Sequence, residues 1–467
     1  MKCREFIFNI CRDRAGPVIV LLVYFLLLTN PIPVAAGCGH DAGRADHILL
    51  SWTGDPLTTQ TISWQAGAGS GQDSLQYIAA AKYDGTFSDV GKVKGKGSPL
   101  DKDYWRFTVT LRGLLPKTEY LYRVGGEGDW SEPASFTTAA PEDRFSFLYM
   151  GDVQEGYEDW GDMLAQVWKE NPQLRFVLMG GDLVDKGNDL SEWQQFLIAA
   201  GPVFRSLPLL AAVGNHDDTN LFRTLFALPT NGPKGHEGTV YSFDYGNCHI
   251  TVLNSNCMGI PGTLGFDDLA HWLRQDLASS RQTWKFVVFH HPPYQVVQNW
   301  RGEHLQKNWV PFLEEGGVDL VFSGHQHVYM RTKPLWEGCI QPEGQGIVYV
   351  MGNSGTKYYG PGPDQDYITQ QVAWVSNYQL IEIDGNTLYM TAKAASGEVI
   401  DTYRIVKGSG VVDNRNDEIC PAGFRYYFIP WWLLHPVKTP IDYAAVLTQA
   451  NAIISANLEG FPSYFTN

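Results

Sequence analysis

Five times between residues 145 and 327 an apolar run of strand length stops on a polar cluster. Residues 145–150 lead into Gly151-Asp152, 175–179 into Gly180-Gly181-Asp182, and 209–213 into Gly214-Asn215-His216-Asp217. Residues 285–289 lead into His290-His291, and 318–322 into Ser323-Gly324-His325-Gln326-His327. Short apolar runs closed by glycine and polar residues read as strands buried on both faces. Helical stretches are expected between them at about 159–170, 191–200, 267–279 and 304–314, the second with a capping-box start at Ser191. Strands alternating with helices demand an α/β sheet, whose sites form off the carboxyl ends of its strands.

That rim gathers Asp152, Asp182, Asn215, His216, His290, His325 and His327. Imidazoles, carboxylates and one amide oxygen, with no thiolate, suit Fe, Mn or Zn rather than a sulfur cluster or a calcium cage. The set is too large for one tetrahedral ion and the right size for two ions sharing a carboxylate. Two such metals clamp an in-line displacement and generate hydroxide near neutral pH, so hydrolysis of a phosphate ester is the expected reaction. Singly the signals are weak, since aspartate often ends a strand and His290-His291-Pro292 reads equally as a turn. Gly324-His325-Gln326-His327 is stronger, because such a cluster after a strand rarely serves packing.

Before this region, residues 47–138 are short-stranded and turn-rich, with strands expected at 48–52, 61–64, 105–111 and 120–124 and a linker at 137–143. The segment 114–120 resembles the fibronectin type III signature, in which a buried tyrosine closes a corner, and Trp64 fits the core tryptophan of a β-sandwich. No metal-type cluster stands out there, so a packing role is expected. The chain has 467 residues, 44% hydrophobic, and a formal charge of −15. Wholesale disorder is thereby excluded, and broad nucleic-acid binding is not expected.

Lys2, Arg4, Arg12 and Arg14 precede an apolar run at 18–28, too short to span a bilayer and typical of a secretory signal peptide. Cleavage after Ala36 would give a soluble exported protein. Alternatively 34–38 resembles a lipoprotein box with Cys38 as lipid anchor, and an uncleaved signal anchor is a third reading. Cys248, Cys257, Cys339 and Cys420 are an even set with room for two disulfides of open connectivity.

In their order the five blocks resemble the calcineurin-like metallophosphoesterase superfamily. With the domain before them, the arrangement over about 45–405 resembles purple acid phosphatases and their bacterial relatives. The resemblance implies a β-sandwich N-terminal domain (38–140) followed by an α/β four-layer (αββα) domain (144–407), between the leader (1–37) and an extension (408–467). It implies that Asp152 and His327 bind a first metal, that Asp182 bridges, that Asn215, His290 and His325 bind a second, and that His216 is the general acid. His291 receives no role. Two departures matter. Asp185 stands where the purple enzymes carry their colour-giving tyrosine, so a colourless protein with an Asp185–His216 pair is expected, the anionic neighbour favouring the proton-donating imidazole. Gln154 stands where many members have histidine and is a weaker candidate ligand of the first metal. Strands near 347–351, 378–383, 388–392 and 399–406 would complete the second sheet, and Tyr358, Tyr359 and Arg331 lie in loops near the rim. The expected substrate is a small phosphate monoester, with diesters or nucleotides as the narrower alternative and a non-catalytic exported binding protein as the competing class. In the extension, 426–434 is strongly apolar and 441–458 reads as a helix, for packing or for contact with a membrane or partner.

Overall fold

The computed structural model describes residues 44–88, 90–126, 128–257 and 266–408. The expected leader, Cys38, Cys420, and the apolar run and helix of the extension lie outside the described residues.

Nine strands come first: β1 (Asp46–Ser51), β2 (Thr59–Gly67), β3 (Ser74–Ala79), β4 (Gly91–Lys94), β5 (Lys96–Pro99), β6 (Tyr104–Arg112), β7 (Glu119–Gly126), β8 (Asp129–Trp130) and β9 (Ala134–Thr137). They form two sheets, ordered β1-β2-β6-β5 and β4-β3-β7-β8, with β9 also on β7. Ile62, Trp64, Leu75, Val109, Tyr122 and Val124 fill the space between them. Trp64 Nε1–H donates to Gln72 O at 2.8 Å, which satisfies the indole in that dry core. The Tyr120 hydroxyl accepts the Leu115 N–H at 3.0 Å and ties down the turn before β7. Side chains alternate along a strand, and β1 uses both faces. Ile48 and Leu50 enter the sandwich core, whereas Leu49 joins the core of the following domain.

That second domain runs β10 (Arg144–Met150), α1 (Tyr157–Glu170), β11 (Leu174–Met179), α2 (Leu190–Phe204), β12 (Leu209–Ala211), α3 (Asn220–Leu225), β13 (Tyr241–Tyr245), β14 (Cys248–Val252), α4 (Phe266–Ser279), β15 (Trp284–Val288), α5 (Trp300–Asn308), α6 (Val310–Glu315), β16 (Leu320–Ser323), β17 (Tyr329–Thr332), β18 (Leu335–Trp336), β19 (Cys339–Ile340), β20 (Val348–Met351), β21 (Ile368–Val372), β22 (Asn377–Asp384), β23 (Thr387–Ala394) and β24 (Val399–Val406). Two main sheets result, β12-β11-β10-β22-β23-β24 and β13-β14-β15-β16-β20-β17-β21, with β18 and β19 as a separate pair. Phe147 of the first meets Phe286 and Phe322 of the second, and Tyr149 Oη–H reaches across to Ser323 O at 2.6 Å. Trp160 of α1 and Phe196 of α2 join the core shared with the first sheet. Leu273 of α4, Leu305 of α5 and Leu313 of α6 pack on the outer side of the second. The result is the expected four layers, with the five polar clusters at one end of both sheets.

Four expectations change. Strands β22–β24 extend the first sheet rather than the second, because β22 pairs antiparallel with β10 from Arg144↔Asp384 to Tyr149↔Gln379. The helix expected at 304–314 is two helices parted at Trp309. Pro311 lies in the first turn of the second, where its missing N–H costs no helical bond. The cap of α2 is Asp189, whose carboxylate accepts the Ser191 N–H at 2.9 Å, so Ser191 is already inside the helix. Two disulfides within the described set do not form: Cys248 and Cys257 are free thiols, while Cys339 is disulfide-bonded.

Candidate metal centre

Asp152 follows β10, Asp182 follows β11, Asn215 and His216 follow β12, His290 follows β15, and His325 and His327 follow β16. Parallel pairing of β10 with β11, β11 with β12, and β15 with β16 delivers them to one edge. His290 is the hub. Its Nδ1–H donates to Gly180 O at 3.0 Å, which leaves the Nε2 lone pair facing inward. Around that nitrogen stand Asp182 Oδ2 at 3.0 Å, Asn215 Oδ1 at 3.1 Å and His325 Nδ1 at 3.2 Å. Lone pairs pointed at one another this closely repel unless a positive charge sits among them.

The neighbouring group is built likewise. His327 Nδ1–H donates to Lys357 O at 3.0 Å, and its Nε2 faces Asp152 Oδ1 at 3.7 Å. Ligand atoms of Asp152, Asp182 and His290 all lie within 4.8 Å of one another. Gln154 Nε2–H donates to Asp182 Oδ2 at 3.0 Å, while its carbonyl oxygen is buried with no partner. Asp152 and Asp182 are both essentially excluded from water, with no lysine or arginine against either carboxylate among the described residues. Buried charges are paired or coordinate metals, and here the groups standing against the two carboxylates are imidazoles, themselves metal-type donors. The donor set therefore fits metal, and the orphaned Gln154 oxygen points the same way.

Burial lowers the basicity of His290, yet the Asp182 and Asp152 charges outweigh it and raise the ring to about 9, so a cation taken up at Nε2 displaces a proton from it. Burial, then the charge of His290, holds His325 down to about 3, with Arg301 adding in the same direction. His216 sits at the edge of the group, about a third exposed. Its backbone N–H donates to Asp182 Oδ1 at 2.9 Å, its Nδ1–H to Asp185 O at 2.7 Å, and the Asp185 carboxylate lies 3.3 Å from Nδ1. Asp185 also lies 3.5 Å from Lys357 Nζ.

Three residues given no role from sequence belong to this arrangement. Asp217, fully buried, accepts the N–H groups of Leu183 and Gly214 and so ties the Asp182 loop to the Asn215 loop. Burial, and next the charge of Asp182, push its carboxyl up to about 8. The last letter of Gly214-Asn215-His216-Asp217 was the available signal. Asn353 bridges to Asp152 from the end of β20, a sixth strand end closing on Gly352-Asn353-Ser354-Gly355. His291 packs beside His325, with ring centroids 4.4 Å apart. Arg331, by contrast, pairs with Asp401 at 2.6 Å, and the Tyr358 hydroxyl bonds that of Ser376, whereas Tyr359 stacks on His327.

Residues 145–329 match the calcineurin-like phosphoesterase family, and residues 45–138 match the N-terminal domain of purple acid phosphatases. The chain carries a calcineurin-like phosphoesterase domain behind a purple acid phosphatase N-terminal domain. Purple acid phosphatase 21 of Arabidopsis thaliana is 25% identical over 332 residues, covering 68% of this chain and 70% of the relative. Human acid phosphatase type 7 is 25% identical over 351 residues, covering 67% and 76%. A relative named probable inactive purple acid phosphatase 24, also from Arabidopsis thaliana, is 24% identical over 375 residues, covering 66% and 59%. Among solved structures, a purple acid phosphatase from yellow lupin (Lupinus luteus) seeds aligns with TM-score 0.66 at 18% identity, covering 78% of this chain and 74% of that one, a likeness of fold. In the phosphoesterase domain the metal-type donors thus stand at the strand ends from which the sheets open.

Proposed function

We propose that the chain hydrolyses phosphate monoesters at a dinuclear metal centre, with diesters as slower substrates. The observation that carries this is the convergence of Asp182, Asn215 and His325 on His290 Nε2 within 3.2 Å, beside a second group sharing Asp182. In this reading Asp152, Asp182 and His327 hold one cation, with the Gln154 oxygen as a weak further donor. Asp182, Asn215, His290 and His325 hold the other. Fe, Mn and Zn suit such donors. When bound, two cations supply charge neutralisation for the phosphoryl oxygens and acidify a water.

The side chains supply the rest. Asn215 contributes an oxygen without adding negative charge against an anionic substrate. With Nδ1–H held by Asp185, His216 keeps Nε2 for the substrate side, where it hands a proton to the departing alkoxide. The basic and apolar leader, together with the disulfide-bonded Cys339, supports export, either secreted or tethered to lipid through Cys38.

Metal analysis with an aryl-phosphate assay tests this reading. Asp182→Ala is expected to lose both metal and activity, whereas His216→Ala keeps the metal and slows turnover by about 10²–10⁴-fold. Bound metal with no hydrolysis of any phosphate ester would favour the non-catalytic alternative. Full activity in His216→Ala would remove it as proton donor.

A further inference from the structure

His291 is buried beside the centre, and its hydrogen bonds fix both its tautomer and what it serves. Arg301 Nη1 lies 3.2 Å from His291 Nε2, and a guanidinium can only donate. Nε2 is therefore the acceptor, and the ring proton sits on Nδ1, which donates to Ser255 Oγ at 2.8 Å. Ser255 Oγ also accepts the His291 backbone N–H at 3.0 Å, so the ring cannot turn without losing two bonds. The ligand atoms of His290, His291 and His325 fall within 4.8 Å of one another. The His291 lone pair, however, is already committed to Arg301.

The guanidinium is held from a second side as well. Its carbon lies 5.0 Å from the Trp300 ring centroid, and the backbone that carries it is capped at the start of α5, where Asn299 Oδ1 accepts the Arg301 backbone N–H at 2.9 Å. Among the described residues no carboxylate pairs with it. A half-buried arginine with no carboxylate partner among the described residues, in a chain of net charge −15, is thus parked one imidazole away from His325.

Resting on the two-metal reading above, we propose that Arg301 binds a non-bridging oxygen of the substrate phosphoryl group. His291 is its positioning residue, and this third cation selects dianionic monoesters over monoanionic diesters. Arginine suits the task because its planar fork matches phosphate oxygens two at a time.

The test uses the metal-loaded full chain, inorganic phosphate as binding probe, and a matched pair of aryl monoester and diester. Arg301→Gln should weaken phosphate binding about 10–100-fold. It should lower monoester kcat/KM by a similar factor, change the diester value far less, and leave metal content intact. Arg301→Lys should recover part of the loss. His291→Phe should move the same ratio in the same direction, and should add little in the Arg301→Gln background. Should the buried His291 variant fail to fold, the two Arg301 variants still decide. Unaltered phosphate affinity with an unaltered monoester-to-diester ratio overturns the assignment, as does loss of metal from Arg301→Gln. A wild-type protein that binds neither metal nor phosphate overturns instead the reading beneath it, together with this one.

Discussion

Gly324 brings no functional group, yet it decides where Asp152 can lie. A Cβ at Gly324 would run into the Asp152 carboxylate, and one at Gly214 into that of Asp182. The backbone around them is equally constrained. Gln154, Asp182, His325 and His327 all adopt left-handed conformations, with φ of 47°, 53°, 76° and 47°. Each such residue costs on the order of 1–3 kcal/mol, which bonds such as His325 N–H to Asp152 Oδ2 at 2.7 Å help to offset. Gly324→Ala should therefore lower metal affinity about 10–100-fold, as for other residues that orient ligands without binding. Calorimetric titration of the metal-free protein checks it, and unchanged affinity would mean that the carboxylate has room to shift. The ligand candidates were legible because each ends an apolar run, a pattern held within a few neighbouring residues. Asp217 and Arg301 were not, because their tasks are bonds to Leu183, Gly214 and His291, made across chain separations that no local pattern encodes.

Among elements, the hairpin of β13 and β14 is joined to α4 by one imidazole. Asp244 and His249 face each other in its register, with Nδ1 at 2.7 Å from Asp244 Oδ1. Nε2 lies 3.0 Å from Asp276 Oδ2 on α4, and Asp276 also accepts hydroxyl protons from Ser242 and Thr251. Burial acts to lower the basicity of His249, but the hydrogen bonds to Asp244 and Asp276 more than reverse it and raise the ring to about 9. That lies above the free-imidazole value of 6.5. The stabilisation is accordingly complete below about pH 6.5 and is lost as pH rises through about 9. Its size is on the order of 2–3 kcal/mol. Thermal melts at pH 7 and above pH 9 should show a larger drop in wild type than in His249→Gln, and equal drops would discount the ion pairs. Strands with continuous apolar runs were easy to read. The membership of β22–β24 was not, because a partner more than two hundred residues away is set by register and not by composition.

At the scale of the molecule, the sandwich lends residues to the core of the domain that follows it. Trp52, just past β1, packs on Phe176 at 5.6 Å and stacks on Tyr245 at 5.5 Å, both within the phosphoesterase domain. Arg106 of β6 is buried and donates to Leu225 O at 3.1 Å and to His47 O at 2.7 Å, and burial outweighs the Asp46 charge and pulls its pKa down to about 9. Ser51 Oγ–H reaches Ala227 O at 2.6 Å, and Tyr122 Oη–H reaches Arg205 O at 2.7 Å. The turn-rich composition and the change of rhythm near residue 140 located the boundary. They could not reveal that Leu49 and Trp52, which read as ordinary strand residues of a sandwich, fill the core of the next domain. A junction built on these aromatic contacts and cross-domain hydrogen bonds couples the two parts thermodynamically, since neither can unfold without exposing aromatic surface of the other. The sandwich and the phosphoesterase domain should therefore melt in one calorimetric transition. Trp52→Ala should cost about 3–5 kcal/mol, as for other buried tryptophans cut to alanine. It should lower the midpoint of that single transition by the same amount whether followed through sandwich or phosphoesterase signals. Two resolved transitions in wild type, or a Trp52→Ala shift confined to the sandwich, would mean that the domains are neighbours and not one folding unit.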